Sequence, residues 1–148
     1  MARKDKPSGK EIAEKAKRVR LERHNSKEGE INGKKAKFTA ADLTHLKSVA
    51  ELEEGHVAGL LETELEGDET GLPPGKYNIY IAKVNGTWRA YAESGGTIAA
   101  EAVRVTVEPH EEGKFRLQEP SFDPDGWCFC WCILHVWWWC VVRVCICF

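Results

Sequence analysis

Asn85-Gly86 is the point where this chain's residues constrain its fold most tightly. A two-residue hairpin loop of this kind needs positive φ at both central positions, which asparagine and glycine tolerate, and it matches the twist of the antiparallel strands it joins. Before it, residues 77–84 carry Tyr77, Ile79 and Ile81 at alternate positions; after it, residues 87–93 carry Trp88, Ala90 and Ala92. Period-two alternation puts each set on one strand face. Ser94-Gly95-Gly96 turns the chain again. Residues 98–108 then supply a third strand with Val103, Val105 and Val107 facing inward, and residues 114–118 a short fourth one carrying Phe115 and Leu117. Upstream, Val57, Gly59, Leu61, Thr63 and Leu65 alternate along residues 57–65.

A single sheet cannot bury its apolar face alone, so it must pack on a second sheet or on a helix. The expected fold class is mostly β, with α+β as the alternative. The expected architecture is a small antiparallel β-sandwich or meander with an N-terminal helix and an apolar Cys/Trp-rich C-terminal tail. A helix-covered sheet is the second choice. Ser8-Gly9-Lys10-Glu11 has capping-box spacing and predicts the start of that helix. Its apolar stripe, Ile12, Ala16 and Val19, is thin, so it needs a surface to dock on. Residues 25–37, with Gly29 and Asn32-Gly33 among charges, read as a linker. Thr39-Ala40-Ala41-Asp42 offers a second cap, and Leu43, Leu46, Val49 and Leu52 follow at three-residue spacing. A helix over residues 40–54 and a strand over 46–52 both fit so short a run.

The charges divide unevenly. Residues 1–38 hold 13 Lys/Arg and 6 Asp/Glu, whereas residues 39–148 hold 8 and 17. The division expected is a basic arm with helix and linker (1–38), a mostly-β domain (39–120), and a polar joint with an apolar tail (121–148). Lys17, Arg18, Arg20 and Arg23 are candidate polyanion contacts. No aromatic residue lies among them for base stacking, so nucleic acid is disfavoured as a partner and a solvated helix face is preferred.

Catalytic arrangements are lacking. His24, His45, His56, His110 and His135 are scattered without metal-ligand spacing, although His45 and His56 would converge if the segments bearing them pack. No phosphate loop, nucleophile elbow or zinc-protease motif occurs. The acidic loop 66–71 lacks the ligand positions of a calcium-binding loop. Neither an enzyme, a cofactor, a metal nor a small-molecule substrate is expected.

Leu72-Pro73-Pro74-Gly75-Lys76-Tyr77, followed by an alternating strand, resembles the start of a core strand in prealbumin-like β-sandwich modules. The resemblance covers residues 72–84. It implies a sandwich fold used structurally or adhesively, and it transfers no functional residue.

Residues 127–148, WCFCWCILHVWWWCVVRVCICF, contain Cys128, Cys130, Cys132, Cys140, Cys145 and Cys147, and every tryptophan except Trp88. As a helix they would span about 33 Å, against roughly 30 Å of bilayer hydrocarbon, with Arg143 near one interface. Against that, Trp137, Trp138 and Trp139 would sit near mid-bilayer, whereas tryptophan favours interfaces. A polar leader with a Cys/Trp-rich end is also similar in layout to precursors of ribosomally made, post-translationally modified peptides, in which thiols and indoles become crosslinked. Soft-metal binding by the thiols is a third reading, and a shifted reading frame through G/T-rich codons a fourth. The N-terminus shows charge with no apolar run behind it, so a cytoplasmic location is expected, with membrane association through the tail. Thiols stay reduced there, and Cys-x-Cys neighbours cannot bridge one another without distortion, so no structural disulfide is expected. The function expected is a non-enzymatic binding or structural β module held at a membrane or in an assembly by its tail. Its partners would be a membrane through residues 127–148, another protein or a second copy. The alternatives are a modified-peptide precursor and a frame-shifted tail on a small β protein.

Overall fold

The computed structural model describes residues 5–31, 33–65, 72–110, 115–117, 120–123 and 128–148, apart from the side chains of Arg23, Ile31, Phe122 and Asp123. The acidic loop 66–71, the ends of the expected fourth strand at Lys114 and Gln118, and Trp127 lie outside the described residues.

The chain first builds a six-stranded antiparallel meander: β1 (Leu21–Ile31), β2 (Lys34–Ala41), β3 (His56–Thr63), β4 (Gly75–Val84), β5 (Thr87–Ser94) and β6 (Thr97–Glu101), in that spatial order. Four further strands, β7 (Arg104–Pro109), β8 (Ser121–Asp123), β9 (Cys128–Val136) and β10 (Trp139–Cys147), form a second antiparallel sheet in the order β7-β10-β9-β8. The two sheets pack face to face, so the fold is a mostly-β sandwich. The helix α1 (Gly9–Ala16) covers the far side of the first sheet.

Asn85 and Gly86 both take positive φ, 54° and 82°, and Val84 pairs with Thr87 across them, as a type I′ hairpin requires. Tyr77, Ile79, Ile81, Ala90 and Ala92 point between the sheets, where they meet Phe129, Trp131, Val142, Val144 and Ile146. The opposite face of β4 and β5 carries Tyr80, Ala82, Val84 and Tyr91, and Ile12 of α1 is buried among them. Having both faces covered explains why residues 79–82 of β4 are apolar without alternation. The helix begins as its sequence indicates, with the Ser8 hydroxyl accepting from the Glu11 amide at 3.1 Å. Lys15 then ties the helix to the sheet by donating to the Gly55 carbonyl at 3.2 Å.

Five local expectations are corrected. Residues 25–31 and 34–37 are strand rather than linker, because Ala36, Phe38 and Ala40 alternate into the core while Lys35 and Lys37 point away from it. The same strand absorbs Thr39–Ala41, so no helix covers 40–54. The helix α2 (Val49–Glu53) starts at Ser48, whose hydroxyl accepts from the Glu51 amide. Residues 98–108 are two strands. Ala102 donates to Ala90 of the first sheet and Val103 to Cys147 of the second, each at 2.8 Å, so the chain changes sheets between them. At this corner Val103 is 82% exposed, not inward-facing. Phe115 and Leu117 flank an isolated bridge between Arg116 and Trp139, and both are exposed. Of the expected polar joint, Ser121–Asp123 is a strand paired with β9.

Candidate functional site

The tail is a β-hairpin. Alternate residues of β9 and β10 divide into an inner set, Phe129, Trp131, Val142, Val144 and Ile146, and an outer set that holds the cysteines. Cys128 stands opposite Cys147 and Cys130 opposite Cys145 in the ladder, with Cα atoms 4.0 Å and 4.1 Å apart, and each pair is disulfide-bonded. Close approach of this kind belongs to directly opposed antiparallel residues, whose side chains leave the sheet on the same face. The ladder slips between Cys140 and Arg143. The third bridge, Cys132–Cys140, therefore runs diagonally, with 5.8 Å between Cα atoms.

These bridges overturn the cytoplasmic expectation. Three disulfides that leave no free cysteine belong to an oxidising, extracellular or secreted environment, since cytosolic thiols are kept reduced. They also correct the expectation that no structural disulfide would form. Neighbours in Cys-x-Cys do not bridge one another; each reaches across to the partner strand. Among the described residues no helix is long and apolar enough to cross a membrane, and the tail itself is strand. The sulfurs are spent on one another, and among the described residues no group of His, Cys, Asp and Glu could hold a metal.

Trp137 and Trp138 are the two residues of the hairpin loop, which is closed by Val136 paired with Trp139. Their rings lie 5.8 Å apart, tilted by 32°, and they are 76% and 57% exposed. Trp137 has φ 53°, whereas Trp138 is not among the residues with positive φ, the sign pattern of a type II′ turn. That position favours glycine, and a bulky side chain there is strained. His135 donates from Nδ1 to the Trp137 carbonyl at 3.2 Å, and its Nε2 lies 3.7 Å from a Glu22 carboxylate oxygen, too far for a hydrogen bond. The Cys132–Cys140 bridge lies close behind the turn. Beside it, Leu117 donates to the Trp138 carbonyl at 2.6 Å and Cys140 to the Phe115 carbonyl at 2.8 Å. Phe115, Leu117 and Val136 thus add exposed apolar surface around the two indoles. Trp139 is half-buried, 5.7 Å beneath the Arg116 guanidinium.

Lys17 caps α1 and pairs with Glu14 at 3.2 Å. Arg18 and Arg20 are exposed where α1 leads into β1, and the Arg23 side chain lies outside the described part. Arg18 borders a cleft with Lys15, His45 and His56, so the two histidines do converge, at 6.5 Å between ring centres. Burial pushes the His56 pKa down, helped by the charges of Lys15 and His45 and opposed by its contact with the Glu51 carbonyl.

The tip carried a signal that reading by composition missed. Cys128 and Cys147 are each nine residues from the Trp137-Trp138 pair, and Cys130 and Cys145 each seven, a symmetry that marks a hairpin centred on the indoles. No protein-family model matches the chain, and neither a curated protein nor a solved structure matches it significantly.

Proposed function

We propose that the chain is a non-enzymatic binding or structural β module that works in an oxidising environment and engages a partner protein through the Trp137-Trp138 tip. The observation that carries this reading is the tryptophan at φ 53° in a tight turn, 76% exposed. A left-handed conformation costs a non-glycine residue about 1–2 kcal/mol, and an indole so exposed recovers little by burial. Such local conflicts concentrate at functional sites. Tryptophan is also the residue most enriched where binding energy concentrates in protein interfaces. The disulfide ladder holds the two rings in place beforehand, which lowers the ordering cost of docking.

The test compares the oxidised wild-type chain with W137G/W138S in a crosslinking capture read by mass spectrometry, alongside sedimentation of each protein alone. Partners crosslinked by the wild type and lost with the folded variant support the reading. Equal capture by both would remove the tip from the contact, and dimerisation abolished by the variant would make the partner a second copy.

A further inference from the structure

Beside the aromatic tip, a cavity of about 90 Å³ opens between His110, Phe115, Arg116, Trp131, Arg143 and the Cys132–Cys140 bridge. That is roughly the liquid volume of three water molecules, enough for one small oxyanion. No carboxylate among the described residues lines it. Arg143 donates to the Ser121 hydroxyl at 3.3 Å. Glu108 stands opposite it across the β7–β10 ladder, yet the two form no ion pair. Arg116 lies against the Trp139 ring. His110 stacks on Phe115 with ring centres 4.1 Å apart. Arg116 and Arg143 therefore line one small, partly apolar space, and among the described residues neither is paired with a carboxylate, in a part of the chain where acidic residues outnumber basic ones by 17 to 8.

We propose that this cavity receives a side-chain carboxylate of an acidic, apolar polypeptide segment whose neighbouring residues pack on Trp137 and Trp138. The proposal rests on the reading of the tip as a protein contact and names the chemistry of its partner. Guanidinium groups hold a carboxylate through paired, charge-assisted hydrogen bonds, which strengthen where water is excluded. Here the disulfide and Phe115 supply the apolar walls. The acidic body around the cavity sharpens selection, because a bound segment must bring its carboxylate to this one place and apolar side chains to the tip. A sulfated glycan shares the anionic chemistry, but its dense charge would meet the acidic body over a wider surface.

The test uses nuclear magnetic resonance of the full oxidised chain, following the arginine Nε–H and His110 ring signals at constant ionic strength. The probes are sodium acetate, sodium chloride, a capped hexapeptide alternating leucine and glutamate, and a heparin-derived hexasaccharide. Acetate is expected to shift the Arg116, Arg143 and His110 signals saturably while chloride does not. The peptide is expected to bind at least about tenfold more tightly than acetate. R116Q and R143Q should each lose the acetate response, and Arg116 is exposed enough that its variant keeps the fold. W137G, outside the cavity, should keep the acetate shifts and lose the peptide's surplus affinity.

Shifts that chloride reproduces, or that survive both arginine substitutions, overturn the cavity. A hexasaccharide that binds more tightly than the peptide overturns the polypeptide as occupant. Peptide affinity that W137G leaves intact while R143Q abolishes it keeps the cavity and removes the tip.

Discussion

The Phe38 ring lies 4.4 Å from the Trp131 indole, centre to centre, and the pair joins β2 of the first sheet to β9 of the second. Phe129 stands 4.6 Å from the same phenylalanine, and Phe148 6.2 Å from Phe129. A residue from the first third of the chain therefore shares a core with residues from its last stretch, and the tail is one wall of the sandwich. Phe38→Ala is expected to destabilise the oxidised protein by about 3–5 kcal/mol, through lost burial and the cavity left behind. Trp131→Ala should do the same, and the double variant should lose less than the sum, since the two rings contact one another. Urea unfolding of the four proteins measures this. Additive losses would mean that the sheets are not coupled through these rings.

Gly59 makes room for that pair. A Cβ at this position would lie 2.4 Å from both the Phe38 ring and the Thr39 carbonyl oxygen. The oxygen belongs to the backbone of the neighbouring strand and cannot move aside cheaply. Gly59→Ala is expected to lower stability by about 1–3 kcal/mol or more, read as a lower urea midpoint. An unchanged midpoint would contradict the packing of Phe38 over this glycine.

The bridges close nested loops. Alone, Cys128–Cys147, with a separation of 19 residues, would constrain the unfolded chain by about 3 kcal/mol. With Cys130–Cys145 already formed, the outer bridge closes only a short additional loop. C128S/C147S should therefore cost well under that figure, whereas full reduction should cost more than removal of any single bridge. Thiol titration of the denatured protein should find no free thiol before reductant and six after it, in keeping with the 6 cysteines of the chain. Reactive thiols in the denatured, unreduced protein would refute the ladder.

Acid should weaken the fold in two steps. The folded pKa of His56 lies below its ordinary 6.5, chiefly through burial, so the unfolded chain takes the proton more readily. Its contribution is complete above about pH 6.5 and is lost as pH falls through the folded value. The folded pKa of Asp42 also lies below its ordinary 3.8, because the Thr44 hydroxyl and amide both donate to its carboxylate, at 2.6 Å and 3.0 Å. That contribution is complete above about pH 4 and disappears below it. Urea midpoints from pH 8 to pH 3 should fall in both windows, and His56→Gln should flatten the upper one alone.

What the sequence made legible follows from how local each signal was. Asn85-Gly86, the alternation around it and the Ser8–Glu11 cap act within a few residues, and each appears in the structure where those residues place it. Residues 25–37 were obscured because the described side chains of this hairpin pointing away from the core are mostly charged, which left the inward signal to Ala36 and Phe38 among the described residues. The run from Ile98 to Glu108 changes phase where Ala102 and Val103 adjoin, from Ile98, Ala100 and Ala102 to Val103, Val105 and Val107, and reading it as one strand overlooked this mark of the change of sheet. The tail misled for a different reason. Its apolar composition fits a bilayer, and Trp137-Trp138 lacks every ordinary turn residue. The hairpin was visible only in the placing of cysteines about that pair.

The tip supplies the sharpest stability test, because function and folding pull it in opposite directions. At φ 53° Trp137 is strained by about 1–2 kcal/mol, while glycine adopts that conformation freely and is favoured at the first position of a type II′ turn. Trp137 is 76% exposed, so its removal sacrifices little burial. Glycine offsets part of the gain through the greater freedom it adds to the unfolded chain, roughly 0.5–1 kcal/mol. Trp137→Gly is therefore expected to hold the melting temperature level or raise it by a few degrees under oxidising conditions, at about 2–4 °C per kcal/mol for a chain of this size. A fall of several degrees would show that the indole supports the hairpin and would take away the reason for assigning it to a partner. A level or higher melting temperature together with lost partner capture would show a residue that strains the turn and serves the contact.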